Sequence, residues 1–164
     1  MDALVGPLSG IRAIDVARVL AGPLCARTLQ DLGAEVIKVE PSSPDVSRFA
    51  FPSTDGMSGY HAQHNAGKRN VSINLNIPGA CELALKLCDT ADIVVEKFRA
   101  GTLGFFGFDY ETLSKRNPRL IYASITGHGQ GSLVTSRVVD EGSLTMSETS
   151  SLTPPAPVTT EPWR

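Results

Sequence analysis

Charged residues and glycines cluster at four points of the sequence where a run of apolar, strand-like residues ends. Guanidinium and ammonium groups bind phosphate and carboxylate, and glycine lets a ligand approach the backbone closely. Because ligands of open α/β sheets bind beyond the carboxyl ends of the strands, this pattern predicts an anion-binding edge. The four segments are 18–23 (RVLAGP), 40–48 (EPSSPDVSR), 96–101 (EKFRAG) and 126–130 (TGHGQ), and a loop at 65–69 (NAGKR) adds two adjacent cations.

The elements that must position these segments begin with a β-α-β pattern. Residues 11–16 (IRAIDV) are a predicted strand, and residues 24–32 carry apolar side chains at helical spacing. Between them, 21–23 (AGP) is a predicted turn that places Pro23 at the first helical position. Gly33 ends the helix, and a second strand follows over 34–40. So short a connection implies a right-handed crossover into a parallel sheet.

Further strands and helices alternate through the first 130 residues. Strands are predicted over 71–75, 91–96 and 120–125, and helices from Pro78 onward and over 110–116. This alternation predicts an α/β fold with an open, mostly parallel sheet of Rossmann type. The polar segment 41–67, rich in glycine and proline, is a predicted long surface loop. Loops of that length are usually functional or mobile, so we expect ligand contacts there.

The overall composition excludes several classes of protein. The 164 residues carry a formal net charge of −2, which provides no general attraction for nucleic acid or anionic membrane. No apolar run approaches the roughly 18 residues of a transmembrane helix, and the first residues lack the pattern of a secretory signal. We therefore expect a cytoplasmic protein with no nucleic-acid or membrane partner, a mitochondrial location being the alternative.

The three cysteines offer no chemistry of their own. Cys25, Cys81 and Cys88 match no zinc-binding spacing, and a chain of this size and composition needs no disulfide framework. We interpret them as reduced, small apolar side chains and predict no metal site.

Composition changes sharply near residue 131. Residues 1–130 alternate apolar and amphipathic stretches, whereas 131–164 is dominated by Ser, Thr and Pro. Such a segment buries too little apolar area to offset the entropy of ordering it. We expect one α/β unit over 1–130 and a disordered tail over 131–164.

Several of these segments, in this order, resemble the family III CoA-transferases, the group of formyl-CoA transferase and carnitine CoA-transferase. The resemblance rests on 10–15 (GIRAID), 18–23, 31–40 (DLGAEVIKVE), the Lys68-Arg69 pair, 94–103 (VVEKFRAGTL) and 117–130 (NPRLIYASITGHGQ). It implies the N-terminal half of a large Rossmann-type domain, so that the sheet would be incomplete. It also implies coenzyme A as substrate, an acyl-CoA and a carboxylic acid as partners, and a homodimer in full-length relatives.

The resemblance further implies which residues contact the coenzyme. The turn after the first strand would lie beside the pantetheine and thioester, loop cations near the coenzyme, and an Asn-Phe-Arg element at its nucleotide end. In this sequence Lys97 replaces that asparagine, which adds a charge and removes an amide. The predicted coenzyme-binding residues are Leu20, Ala21, Gly22, Arg48, Lys68, Lys97, Phe98 and Arg99.

No catalytic residue is predicted, because the segment that would carry it departs from the family pattern. The family's Gly-x-Gly-Gln is followed by Thr-Gly-Pro and then by Gly-Tyr-Asp, whose aspartate attacks the thioester to form a mixed anhydride. Residues 131–134 read GSLV instead, and Asp140 lies in a segment without that resemblance. We therefore expect a truncated or misread product that lacks the nucleophile.

Alternative interpretations stay open at this point. An α-methylacyl-CoA racemase shares the N-terminal pattern and would be an isomerase, and a non-catalytic subunit would bind CoA or pair with full-length chains. His128 is a candidate acid or base that lacks a visible second catalytic group. Glu40 ends the second strand, where an acid holds a ribose hydroxyl in dinucleotide-binding folds, but no Gly-x-Gly-x-x-Gly cradle precedes it.

Overall fold

The computed structural model describes residues 6–77, 79–99 and 101–127. Its centre is an open sheet of five parallel strands, which are β1 (Arg12–Asp15), β2 (Glu35–Glu40), β5 (Arg69–Ser72), β6 (Ile93–Glu96) and β7 (Ile121–Ser124). Their order across the sheet is β5-β2-β1-β6-β7. This architecture confirms the predicted α/β class with an open parallel sheet.

Helices cover both faces of the sheet. On one face, α1 (Ala21–Asp31) packs Ala26 against the small core of Ala13, Val36 and Val95. On the other, α3 (Ala80–Asp89) and α4 (Tyr110–Arg116) pack against Ile14 and Val94. Strands buried on both faces are apolar along most of their length, and apart from Lys38 in β2 the charged residues of β1, β2 and β6 lie at strand ends. The buried ends therefore become the candidate site.

The predicted turn at 21–23 is the first turn of α1 instead. Leu20 is the last residue outside the helix, and Pro23 is the third helical residue rather than the first. Proline is tolerated there because the first N–H groups of a helix have no intrahelical acceptor. Gly22 is required by packing: a Cβ at this position would lie 2.1 Å from the Cβ of Ala17.

Segment 41–67 is folded, which differs from the predicted loop. It contains a 3₁₀ helix (Val46–Phe49), a hairpin of β3 (Ser53–Thr54) and β4 (Met57–Ser58), and α2 (Gly59–Asn65). The Asp45 side chain caps the 3₁₀ helix by accepting from the N–H of Ser47. The Ser58 hydroxyl caps α2 by accepting from the N–H of His61. These caps give local order that apolar periodicity does not reveal.

Most other elements lie where the sequence places them, with one shift. Helix α4 has the predicted bounds, and β6 and β7 lie inside their predicted ranges. The strand predicted over 71–75 is displaced to Arg69–Ser72, since edge strand β5 pairs with β2 through polar residues. Pro78, where a helix was predicted to begin, and the tail 131–164 lie outside the described residues.

Two further observations bear on the composition. Cys25, Cys81 and Cys88 are free, and burial raises the pKa of the Cys88 thiol to about 12. Within the described ranges, no helix is long and apolar enough to cross a membrane.

Candidate functional site at the carboxyl edge of the sheet

Each of the three central strands ends in a buried acid. Glu40 ends β2, Asp15 ends β1 and Glu96 ends β6, and all three side chains are nearly inaccessible to solvent. A buried carboxylate is costly unless it is paired or hydrogen-bonded, so the partners of each acid define its role. The three acids have three different sets of partners.

Asp15 belongs to a four-charge cluster, which consists of Asp15, Lys38, Asp45 and Lys68. The Lys68 ammonium donates to Asp15 Oδ2 at 2.8 Å, and also to the Pro23 carbonyl and Asn65 Oδ1. Lys38 Nζ lies 3.7 Å from a carboxylate oxygen of both Asp15 and Asp45 and donates to the Ala17 carbonyl at 2.8 Å. Both ammonium groups are thus committed to protein acceptors.

Local donors and burial tune this cluster. Burial raises the pKa of Asp45, but N–H groups of Ser47 and Val19 and the charge of Lys38 outweigh it, so the pKa is lowered overall. For Lys68, burial lowers the pKa and the neighbouring Asp15 only partly opposes that effect. The cluster joins the turn after β1 to the loop after β2, and hence fixes the shape of the edge.

Glu96 holds the start of the loop after β6. Its Oε2 accepts from the backbone N–H of Phe98 at 2.8 Å, and its Oε1 accepts from the Ser124 hydroxyl. Burial raises the pKa of Glu96 despite these two hydrogen bonds. The carboxyl group thereby fixes the backbone that carries Phe98 and Arg99.

A cavity of about 140 Å³ opens beyond these strand ends; we call it the carboxyl-edge cavity. The chain order reverses between β1 and β6, and Val16 and Phe98, which follow those strands, both line the cavity. Such a switch point is where open α/β sheets bind their ligands. Most of the remaining lining is apolar, including Val39, Ile73, Leu103, Phe106 and Phe108.

Two polar groups in this cavity lack a partner. Arg18 and Glu40 both line it, and Arg18 Nε and Glu40 Oε1 are buried atoms without a hydrogen-bond partner among the described residues. An unpaired buried donor or acceptor costs roughly 1–3 kcal/mol, so a ligand that pairs with both atoms would recover that free energy. The residues that line the cavity therefore include one unpaired donor and one unpaired acceptor, and Asn74 and Asn76 are its other polar residues.

Three of the residues predicted to contact coenzyme, Lys97, Phe98 and Arg99, follow β6 directly. Phe98 is half-buried and lines the cavity, whereas Arg99 is exposed. Lys97 is half-buried, and its Cβ would lie 3.4 Å from a Cβ built on Gly22. The structure thus brings the start of α1 and the segment after β6 together.

The remaining predicted contacts have other neighbours. Leu20, Ala21 and Gly22 form the start of α1, and Gly22 approaches Ala17. Arg48 donates to Glu40 Oε2, and Lys68 belongs to the four-charge cluster. Their contact with coenzyme stays a prediction. His128 and Asp140 lie outside the described residues.

Ser47 and His61 form a close pair that resembles part of a hydrolytic site. The Ser47 hydroxyl lies 2.8 Å from His61 Nδ1, and Asn65 Nδ2 lies 3.3 Å from the same nitrogen. Burial and the nearby Arg48 lower the pKa of His61. Ser47 is 3% exposed and lines neither the carboxyl-edge cavity nor the cavity that His61 lines, so the pair instead joins α2 to the 3₁₀ helix.

A larger groove of about 830 Å³ lies at the opposite, amino edge of the sheet. Its charged side chains already have partners: Arg12 and Arg69 both pair with Glu35, and Asp92 accepts from the Arg12 N–H. Size alone would favour this groove, but its polar groups are paired, so the carboxyl-edge cavity is the better candidate.

Sequence reasoning included Arg18 and Glu96 only as members of segments 18–23 and 96–101 and Asp15 only as part of a motif, and it predicted none of the three as a site residue. One signal could have found the two acids. Each ends a strand that is buried on both faces, where a charged residue must have a partner. No comparable sequence pattern predicts that Arg18 Nε is unpaired, because this depends on which side chains surround it in the folded protein.

The fold is that of a Rossmann-type α/β protein with a cavity at the switch point of its sheet. The family model described as CoA-transferase family III matches residues 8–158, and the chain belongs to that family. This confirms the resemblance, and the match continues past residue 130.

Individual relatives agree with the family assignment. A succinate–glutarate CoA-transferase of Agrobacterium fabrum is 48% identical over 132 residues, and a succinyl-CoA:mesaconate CoA-transferase of Haloarcula marismortui is 42% identical over 130. Each alignment covers 76% of this chain and 33% of the relative. The crystal structure of Rv3272 from Mycobacterium tuberculosis superposes with a TM-score of 0.82 at 36% identity, covering 93% of this chain and 43% of that one. The chain thus spans about a third of the length of the curated relatives it matches.

Proposed function

We propose that the carboxyl-edge cavity binds coenzyme A and that the protein acts in the transfer of CoA between an acyl-CoA and a carboxylic acid. The observation that carries this proposal is the buried, unpaired Nε of Arg18 in an apolar cavity at the switch point of a family III chain. A guanidinium group there is suited to an oxygen of an anionic ligand. The printed names of the relatives, which are CoA-transferases, support the same activity.

Different residues in and near the cavity would bind different parts of the coenzyme. Phe98 and Phe106, which are only partly buried, would supply aromatic surface for the adenine ring, and Arg18 would donate to a phosphate oxygen. Exposed Arg99 would attract the remaining phosphates. Glu96 would act through Phe98, because it fixes the backbone from which that ring projects.

The transfer chemistry proposed for the complete enzyme follows the family's anhydride route. An aspartate carboxylate attacks the thioester carbonyl, the C–S bond breaks, and CoA leaves as its thiolate. The thiolate then attacks the aspartyl carbonyl of the mixed anhydride, which releases the first acid and leaves an aspartyl thioester. The acceptor carboxylate reverses these two steps. We assign the nucleophile to none of the described residues.

Binding can be tested with two neighbouring phenylalanines. Phe106 lines the cavity, whereas Phe105 is 90% exposed and does not line it. In calorimetric titrations of the 164-residue chain, Phe106→Ala should weaken CoA binding about tenfold, because it removes apolar contact area, and Phe105→Ala should change it less than about twofold. Arg18→Met should weaken binding by a similar or larger factor.

Two outcomes would contradict the proposal. One is equal weakening by Phe105→Ala and Phe106→Ala, and the other is the absence of any CoA-induced NMR shift at Phe98 in the unmodified chain. Circular dichroism of each variant checks that the fold is retained.

A further inference from the structure

Glu40 is the buried acid whose two oxygens have different environments. Oε2 accepts from Arg48 Nε at 3.1 Å and from Arg48 Nη2 at 2.7 Å. Oε1 is buried and has no hydrogen-bond partner among the described residues. The side chain is therefore half satisfied, although Glu40 is only 5% exposed.

Glu40 lies between two cavities, and its ion pair with Arg48 occupies only one of its two carboxylate oxygens. Arg48 lines a neighbouring cavity of about 290 Å³, together with Lys38, His61 and Lys68, whereas Glu40 lines the carboxyl-edge cavity. With Oε2 occupied from the Arg48 side, Oε1 is the oxygen left for the carboxyl-edge cavity. A ligand there must bring an O–H or N–H donor to satisfy it.

We propose that Glu40 Oε1 accepts a hydrogen bond from the ribose 2′-hydroxyl of coenzyme A; this inference rests on the proposed function. An acid at the end of the second strand is well placed for a ribose hydroxyl in Rossmann-type sheets. In coenzyme A the ribose 3′-oxygen carries a phosphate, so the 2′-hydroxyl is the free ribose donor. Glu40 is thus a specificity-determining residue for the nucleotide end of the substrate.

The Arg48 ion pair makes this arrangement compatible with an anionic ligand. An unpaired carboxylate would repel the phosphates of the coenzyme, but the guanidinium at 2.7 Å neutralises Glu40 while it leaves Oε1 available. Arg48 is then a positioning residue: it holds the carboxylate in the orientation that accepts the hydroxyl.

The test compares two nucleotides that differ by one hydroxyl, adenosine 3′,5′-bisphosphate and 2′-deoxyadenosine 3′,5′-bisphosphate, by calorimetry on the 164-residue chain. The unmodified protein should bind the deoxy compound at least about tenfold more weakly, because Oε1 would then stay unpaired. In Glu40→Met the side chain offers the 2′-hydroxyl neither a carboxylate acceptor nor an N–H donor. Discrimination between the nucleotides should therefore fall to within about twofold.

Matched controls separate this effect from general damage to β2. Glu35→Met, the same substitution at the other end of the strand, should keep the discrimination of the unmodified protein. Arg48→Met should lose discrimination, and Arg48→Lys, which restores a cation to Glu40, should recover part of it.

The unmodified protein alone keeps the inference falsifiable, even where a variant does not fold. If CoA binds but the two nucleotides bind equally, the role of Glu40 is wrong while the proposed function stands. If inosine 3′,5′-bisphosphate is the weakened ligand instead of the deoxy compound, the acceptor recognises the base and the ribose assignment is overturned. If CoA itself does not bind, it is the proposed function that fails.

Discussion

Two buried polar groupings lie side by side at the carboxyl edge of the sheet, and they differ in how far their hydrogen bonds are satisfied. The four-charge cluster pairs both ammonium groups with carboxylates and carbonyls of the protein. Arg18 and Glu40, by contrast, each keep one buried atom unpaired in the carboxyl-edge cavity. Both groupings would look alike in sequence, as charged residues after strands.

The difference separates structural from binding roles. A satisfied buried network stabilises one conformation, and removal of any member leaves an uncompensated charge. An unsatisfied donor or acceptor contributes nothing favourable to folding, so its presence is better explained by a ligand. Charge at a strand end is thus a poor guide to function until its partners are known.

The largest effect on stability is expected for Lys38→Met. Lys38 is 1% exposed and lies between Asp15 and Asp45, so its loss leaves two buried carboxylates near each other. The free energy of unfolding should fall by about 3–5 kcal/mol in urea titrations at neutral pH. Lys115→Met, on the exposed side of α4, should change it by less than about 0.5 kcal/mol. Similar losses of unfolding free energy in Lys38→Met and Lys115→Met would contradict the structural role of the four-charge cluster.

Adjacent cations provide a second, smaller contrast. The Lys68 ammonium is buried and bonded to three acceptors, whereas the Arg69 side chain is 76% exposed and pairs with Glu35. Lys68→Met should reduce the free energy of unfolding by about 2 kcal/mol, since Lys38 still compensates Asp15. Arg69→Met should reduce it by at most about 0.5 kcal/mol. A larger loss of unfolding free energy for Arg69→Met than for Lys68→Met would show that burial does not determine how much each cation stabilises the fold.

Two buried acids should respond to pH in opposite directions. The pKa of Asp45 in the folded protein lies below its ordinary value of 3.8, so its contribution to stability is present above that value and is lost as pH falls through the lowered pKa. The pKa of Glu96 lies above its ordinary value of 4.5, so its contribution is lost as pH rises through the raised pKa.

Unfolding curves for Asp45→Asn and Glu96→Gln between about pH 3 and pH 7 test this prediction. Relative to the unmodified protein, Asp45→Asn should be least destabilised at the acid end. Glu96→Gln should gain relative stability as the pH rises above about 4.5. Parallel curves for both variants would show that neither carboxyl group titrates as stated.

The smallest expected effect on folding belongs to Arg18→Met. Because Arg18 Nε has no partner among the described residues and the cavity is mostly apolar, a methionine should leave the free energy of unfolding within about 0.5 kcal/mol or raise it. Thermal melts in the absence of ligand provide the measurement. A loss of unfolding free energy comparable to that of Lys38→Met would show that Arg18 stabilises the fold, as the four-charge cluster does.

The sequence sufficed for the sheet because its strands follow simple rules. Apolar runs at 11–16 and 91–96 became β1 and β6, and the bounds of α4 were predicted correctly, with Asp109 capping the helix through the N–H of Thr112. Segment 41–67 was misjudged because its order comes from two polar caps and a short hairpin rather than from periodicity.

The site was harder to predict because it depends on which charges meet. Lys38 and Asp45 carry no local sign that they share one buried cluster, since their contact requires β2 and the following loop to be folded. Phe98 was predicted through family resemblance and does line the cavity, whereas Arg18 required its neighbours to be known. Residue types thus indicated that the carboxyl edge of the sheet is the site. The structure was needed to separate the four-charge cluster from the residues that line the cavity.

Asp45 has a consequence for how this edge can evolve. One of its carboxylate oxygens accepts from Ser47 and the other from Val19, whose φ of 68° is unusual for a β-branched residue. The loops after β1 and β2 are therefore clipped together. Insertions or deletions in either loop would strain the other, so variation at this edge should arise by exchange of side chains on these two loops rather than by changes in their length.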